Sequence, residues 1–439
     1  MSSKTGLLFF PAFDWAIAPT HPEREERLLY TRDQIVEEGI LDLPGFIEYS
    51  ARPGSIADVE RVHLTLPDTR KVITDAHLIA AGSSIALAEA VLTGEVKNGF
   101  ALVRPPGHHA TRTVYGNRGF CNINNVAITA DYLRWVKGVK KIAIIDTDVH
   151  HGDGTQDIFY HDPDVLFISF HQDGRTLYPG TGFVEEAGTP NAFGTTINLP
   201  LPPGSGDEEI ACLLEEAVLP ILADFKPDFI INSAGQDNHF SDPLARMAVT
   251  ARGYGRITEL IKPDLAVLEG GYSIEGALPY VNLAILLALA GESYNKVLEP
   301  KGLPLEFRAR HLDYAKKLSF ATLERWKNRE ELKDNELKKH RENGYYTYNK
   351  TIYYDTDGFY EHRVTTVKLC DRCPGYAGIN SYAYVNTGIV SGFAAIIMPN
   401  TCPDCREEAL AVVSDARAKN KYDKVVVIPE EAVKNSSGK

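Results

Sequence analysis

Three polar residues at alternate positions, Asp146, Asp148 and His150, follow the apolar run Lys141–Ile145. On an extended chain, side chains at i, i+2 and i+4 share one face. Carboxylate and imidazole are good ligands for a catalytic zinc. A further carboxylate, Asp237, follows a second apolar run, Asp228–Asn232. Two carboxylates and one imidazole would leave zinc an open position for water and substrate. The adjacent His108 and His109, in Arg104–Ala110, could supply a base for that water and an acid for a leaving amine. Asp146 and Asp153 need not bind metal. Each could accept the second ring N–H of a histidine, fixing its tautomer and raising its basicity. In Leu268–Gly276, the pair Gly270–Gly271 allows close backbone approach to a ligand, and the Tyr272 phenol could donate to an oxyanion. Any one of these residues, alone, reads as an ordinary polar group in a loop. Together, each after an apolar run, they point to metal-assisted hydrolysis.

Four of the six cysteines form two CxxC pairs, Cys370/Cys373 and Cys402/Cys405, with 28 residues between them. Four thiolates suit a closed, structural zinc; the alternative is free thiols or a redox pair. Paired CxxC usage fits a reducing compartment, so a cytoplasmic location is expected.

The elements that must position these groups are strands alternating with helices. Gly99–Val103, Lys141–Ile145, Val165–Phe170, Asp228–Asn232 and Asp264–Leu268 suit buried strands. Between them, Ala76–Leu92, Asn124–Val136, Asp207–Ala223 and Val249–Ile261 read as amphipathic helices. This alternation predicts an α/β fold, a parallel sheet flanked by helices on both faces. Such sheets bind ligands at the carboxyl ends of their strands. The catalytic domain is expected over 1–310 and a charged helical linker over 311–344, with His311–Asn343 as one helix. A small β-rich zinc-binding module is expected over 345–430, with strands at Tyr345–Tyr354 and Val364–Leu369 and a hairpin at Ala383–Pro399.

The 439 residues are 44% hydrophobic and 24% charged, a soluble globular balance. A net charge of −13 argues against direct nucleic-acid binding. It could attract cationic ligands such as lysine-rich tails or polyamines, or simply aid solubility. The N-terminus shows no signal-peptide pattern, and Leu278–Ala290 is too short to span a bilayer, so no membrane partner is expected.

In order along the chain, THPEREERL, RPPGHHA, GFCNINNVAI, DTDVHHGDGTQDIF, LYPGTG, SAGQDNHFSDPLA and LEGGY resemble the histone deacetylase family, which includes the acetylpolyamine amidohydrolases. The resemblance runs from about Thr20 to Ala290. The EGGY and GTQ forms are closer to the class II and prokaryotic branches. It implies an arginase/deacetylase-like fold and a zinc-dependent amidohydrolase acting on linear amides. It implies zinc held by Asp148, His150 and Asp237, and His108 and His109 as the acid–base pair, oriented by Asp146 and Asp153 respectively. Tyr272 would polarise the acyl carbonyl. Gly119, Phe120 and Tyr178 match the walls of a narrow tunnel for the acylated side chain, with Gly271 beside them. A potassium site is implied at Asp146, Asp148, His150, Ser169 and the Phe170 carbonyl. For the family's rim aspartate, which grips the substrate backbone, the candidate is Asp68. The chain departs from the family at Gln236, where a hydrophobic residue usually precedes the third ligand. The implied partner is an acylated amine, acetyl-lysine in a protein or an acetylpolyamine, and an oligomer is compatible. Iron(II) accepts the same ligands as zinc. The alternatives are a catalytically silent zinc-binding scaffold and a ureohydrolase-type site with two manganese ions, for which the sequence supplies too few carboxylates.

Overall fold

Apolar runs that are covered on both faces become central strands, and this chain has enough of them for one large sheet. The computed structural model describes residues 4–303, 309–386 and 388–431. Eight strands pair in parallel: β1 (Thr5–Phe10), β2 (Phe46–Tyr49), β3 (Asn98–Val103), β4 (Ile142–Asp146), β5 (Val165–Gln172), β6 (Thr196–Leu201), β7 (Phe229–Ala234) and β8 (Leu265–Leu268). Their order is β2-β1-β3-β8-β7-β4-β5-β6. β3, β4 and β5 are buried along their whole length, which is why they read as unbroken apolar runs rather than alternating ones. Within β4, Ile142 and Ile144 face one core while Ala143 and Ile145 face the other, the two-residue period of a strand.

Helices Asp75–Leu92 and Asn125–Trp135 cover one face. Ala251–Ile261, Leu278–Ala290 and the helical stretch from Asp207 to Phe225, which contains a π turn at Leu214–Val218, cover the other. Asp75–Leu92 is long and apolar enough to cross a membrane by length and composition, but most of it is buried inside the protein.

The charged segment expected as one helix is two, Leu312–Lys327 and Arg329–His340, interrupted at Asn328. The first is packed, placing Ala315 and Trp326 in the main core. The second buries no residue.

A second sheet follows: β9 (Tyr345–Tyr354), β10 (Phe359–Lys368), β11 (Tyr376–Val385), β12 (Gly388–Ile397) and β13 (Lys424–Ile428), in that order. The first three pairings are antiparallel and the last is parallel. Helix Pro403–Lys419, which the sequence reading did not anticipate, connects β12 to β13. The expected hairpin at Ala383–Pro399 is the β11–β12 hairpin, which begins earlier, at Tyr376. This sheet packs against the part of the chain that forms the first sheet. Leu64, Leu66 and Tyr115 share a core with Ile352, Tyr354, Val367 and Ile379. Buried Arg363 pairs with Asp157 Oδ2 at 2.5 Å, and Lys350 with Asp157 Oδ1 at 2.7 Å.

Candidate active site

The carboxyl ends of β3, β4, β7 and β8 lie side by side, so the loops that follow them meet. Asp146 ends β4, and the strand stops there. Asp148 and His150 therefore project from a loop rather than from the extended chain expected of them. The backbone N–H of His150 closes that loop on Asp148 Oδ1 at 2.9 Å. Asp237 follows β7, and its Oδ1 accepts the N–H of Val149 at 2.9 Å. The loop after β8 seals the group, with Gly270 N donating to Asp148 Oδ2 at 2.7 Å. A Cβ at Gly270 would lie 2.2 Å from Asp237 Oδ2, so only glycine permits this approach.

The ligand atoms of Asp148, His150 and Asp237 lie within 4.8 Å of one another. His150 Nδ1 is 3.2 Å from Asp148 Oδ1 and 3.1 Å from Asp237 Oδ2. One ring nitrogen carries at most one proton, and both carboxylates are fully buried. Two buried negative charges facing one imidazole call for a cation, and this donor set suits zinc.

His108 Nδ1 lies 3.1 Å from Asp146 Oδ2, and His109 Nδ1 lies 2.8 Å from Asp153 Oδ1. Both rings are buried, yet their environments differ. Burial disfavours charge on His108, but Asp148 and Asp146 together hold its pKa well above the usual value. Burial lowers His109 to about 3, and the positive charge of His108 adds to this. Asp153 is also buried, but Arg118 overrides burial and keeps its carboxyl below the usual range. Arg118 Nη2 sits 2.6 Å from Asp153 Oδ2, and Nη1 donates to the His109 carbonyl at 3.0 Å. The two rings thus sit in opposite surroundings, His108 beside carboxylates that favour its charge and His109 where burial disfavours it.

Tyr272 is held through its backbone, its N–H donating to Asp242 Oδ2 at 2.7 Å. Burial raises its phenol well above 10, so it stays a donor. Beneath it, Arg27 Nε donates to the Gly271 carbonyl at 2.7 Å and Nη2 to that of Glu269. Arg27 Nη1 pairs with Glu23 Oε2, and Arg104 Nε with Glu23 Oε1, each at 2.7 Å. Glu269 Oε2 accepts the N–H groups of Gly107 at 2.6 Å and His108 at 3.1 Å. Burial pushes its carboxyl up to about 7.

His108, His109, His150 and Tyr272 line one cavity of about 240 Å³, together with Pro106, Gly119, Phe120, Leu177, Tyr178, Leu244 and Asp355. Gly119 has φ +53°, and a Cβ there would meet the His109 ring at 2.6 Å. The Tyr178 ring stands edge-on to His109 at 5.1 Å, and Phe120 edge-on to Tyr272 at 5.5 Å.

Two expected tunnel residues lie elsewhere. Asp68 caps the short helix Thr69–Val72, its Oδ1 accepting the Arg70 N–H at 2.9 Å, and does not line the cavity. Its side chain is used by local capping. Gly271 is also absent from the lining. A Cβ there would meet Gln236 and Leu278, at 2.9 and 3.0 Å, because the loop turns behind Tyr272. Gln236 points away too, its Nε2 donating to buried Asn282 Oδ1. Of the potassium set, Asp146 stands opposite Ser169 in the β4–β5 ladder, and the Ser169 hydroxyl contacts His171 Nδ1 at 2.9 Å.

Sequence reasoning missed Glu23, Arg27, Arg104, Arg118, Asp242, Glu269 and Asp355. Glu23 and Arg27 stand four apart in THPEREERL, a spacing that offered a signal. Asp355 offered none.

Far along the chain, the Sγ atoms of Cys370, Cys373, Cys402 and Cys405 lie within 4.8 Å of one another. The Arg372 and Gly375 N–H groups donate to Cys370 Sγ at 3.5 Å and Cys373 Sγ at 3.3 Å. Burial works against the Cys370 thiolate, but the Arg372 N–H and the neighbouring cysteines bring its pKa down to about 7.

A sequence profile described as "Histone deacetylase domain" matches residues 65–286. A "Probable deacetylase" of Archaeoglobus fulgidus is 45% identical over 339 residues, 71% of this chain and 93% of that protein. "Histone deacetylase 14, chloroplastic" of Arabidopsis thaliana is 43% identical over 52% of this chain and 55% of its own length. The "Histone deacetylase-like amidohydrolase" of Pseudomonas aeruginosa is 38% identical over 48% of this chain and 57% of its own. The chain thus spans little more than half of these last two. Among solved structures, the HDA15 HD domain superposes with a TM-score of 0.63 and 31% identity, over 76% of this chain and 98% of that one.

Proposed function

The chain belongs to the histone deacetylase family, whose general cofactor is zinc, and is a hydrolytic deacetylase; from that premise we propose that Asp148, His150 and Asp237 hold the zinc and that the substrate is an amide of the acetyl-lysine type. One observation carries this reading. Two buried carboxylates converge on His150, which lines the cavity together with the histidine pair and the Tyr272 phenol. Zinc bound there supplies Lewis acidity and an acidified water.

The remaining work falls to side chains. The ring walls of Phe120 and Tyr178 accept a methylene chain and exclude water from the amide. Neutral His109, fixed by Asp153, takes a proton through its other ring nitrogen, and the histidine pair returns one to the departing amine. Asp146 holds His108. Tyr272 donates its O–H to the acyl oxygen as charge builds there. The potassium ion at Asp146, Asp148, His150, Ser169 and Phe170 belongs to the same proposal, as a structural charge beside the zinc ligands.

We further propose a second, structural zinc on the four cysteines, in a 345–430 module attached to a 1–310 catalytic domain, and a cytoplasmic setting in keeping with those thiols. The test is hydrolysis of an acetyl-lysine peptide, run with metal analysis. Wild type should turn over and carry two zinc per chain. Asp148→Ala should lose turnover and one zinc, whereas Cys370→Ser should lose the other zinc. Full zinc occupancy in Asp148→Ala would refute the ligand assignment.

A further inference from the structure

The turn between β9 and β10 belongs to the C-terminal sheet, outside the stretch matched by the deacetylase profile. Yet Asp355, in that turn, lines the same cavity as His108, His109 and Tyr272. It is exposed, so it marks the cavity's open end. Its carboxylate is fixed: Oδ1 accepts the Gly119 N–H at 2.9 Å and the Tyr178 hydroxyl at 3.3 Å. The turn itself is tied down, with Thr356 Oγ1 donating to Asn117 Oδ1 at 2.7 Å and Tyr354 OH to the Thr113 carbonyl at 3.1 Å.

Among the described residues, no lysine or arginine forms a salt bridge with this carboxylate, nor with that of Asp357. The nearby Arg118 guanidinium is engaged by Asp153 at 2.6 Å. His21 stands edge-on to Phe120 at 4.3 Å; burial lowers its pKa, although Glu23 and Asp355 pull against this. A held, unpaired carboxylate at the mouth of a cavity attracts a positive charge on whatever emerges from it.

We infer that Asp355 makes the C-terminal module part of the substrate site and selects acyl amides that carry a second, positively charged nitrogen a few bonds from the amide. The inference rests on the deacetylase reading of the cavity. The cation has two sources, a free diamine or a basic side chain flanking an acylated lysine. An ammonium a few ångströms from a partly solvated carboxylate gains on the order of tenfold.

The test uses the full-length, zinc-loaded protein and its Asp355→Asn variant. The probes are monoacetylated 1,4-diaminobutane and N-butylacetamide, which is the same chain without the ammonium. Two acetyl-lysine peptides, flanked by lysine or by glutamate, form the second arm. Wild type should favour the charged member of at least one pair in kcat/KM, and more so at low salt. Asp355→Asn should reduce that preference about tenfold. The pair that responds identifies the source of the cation. A preference unchanged within twofold in both pairs overturns the inference, as does an equal loss on charged and neutral members, which would mark a purely structural role through Gly119 and Tyr178. Calorimetric titration of the same amides reads the preference as binding. If that preference depends on Asp355 while no amide is cleaved, the hydrolytic reading fails and the assignment of Asp355 stands.

Discussion

At the scale of single residues, the chemistry depends on charges that water does not reach. Tyr272 is held by Asp242 at its backbone, by Arg27 below its ring at 4.9 Å and by Phe120 beside it. Tyr272→Phe should lower kcat by about 10²-fold or more, the scale of losing an oxyanion donor, with zinc content unchanged. A rate within threefold of wild type would remove the tyrosine from the mechanism. Arg27→Met tests what lies beneath. It leaves the buried Glu23 carboxylate with only Arg104, and two carbonyls without their donor. The expected cost is about 3–5 kcal/mol of stability, seen as a lower denaturant midpoint, together with a fall in kcat as the Tyr272 loop loosens. An unchanged midpoint would mean that Arg27 is not needed there. The cluster of Asp148, His150 and Asp237 and the adjacent histidine pair were legible in the sequence because their types are rare together and each follows an apolar run. Glu23, Arg27 and Glu269 were not, since burial is what gives them meaning and a charged residue in a sequence ordinarily reads as solvated surface.

At the scale of elements, five strands were legible to within two residues because each is central and contains a short apolar run. β2 and β6 were not. β2 is half-buried at one edge of the sheet. β6 contains Pro200 at the other edge, a residue that demotes any run in a sequence-based reading and that edges tolerate. Helix Pro403–Lys419 was overshadowed by its own cysteines, although Cys405, Ala409, Val413 and Ala416 keep helical spacing on the face that meets the sheet. The loop Gly119–Phe120 is the element on which the cavity most depends, since both residues are left-handed, with φ +53° and +70°. Gly119→Ala should cost about 1–2 kcal/mol for that backbone. It should also lower kcat/KM, because the new methyl meets the His109 ring. Wild-type kcat/KM in the variant would show that the ring can move without loss.

At the scale of the whole molecule, the two sheets are joined by a buried ionic cluster, and this makes their union sensitive to acid. Arg363 and Lys350 both reach Asp157 from the second sheet, and Arg363 also pairs with Glu361 at 2.8 Å. Burial would raise the Asp157 carboxyl, but Arg363 and Lys350 override it and hold the group below its ordinary range. A carboxyl depressed by folding contributes stability that is fully present above its unfolded pKa, about 3.9. That contribution is lost as pH falls from there toward the folded value. Wild type should therefore lose thermal stability progressively as pH falls below about 4. Asp157→Asn should start lower at pH 7, because Arg363 and Lys350 lose their counter-charge, but it should fall less over the same interval. Melting curves of the two proteins across this range decide the matter. Converging midpoints as pH drops would identify Asp157 as the acid-labile link between the sheets. Parallel curves would mean that other carboxyls set the acid limit and that the apolar contact around Leu64, Leu66 and Tyr115 holds the two sheets together without it.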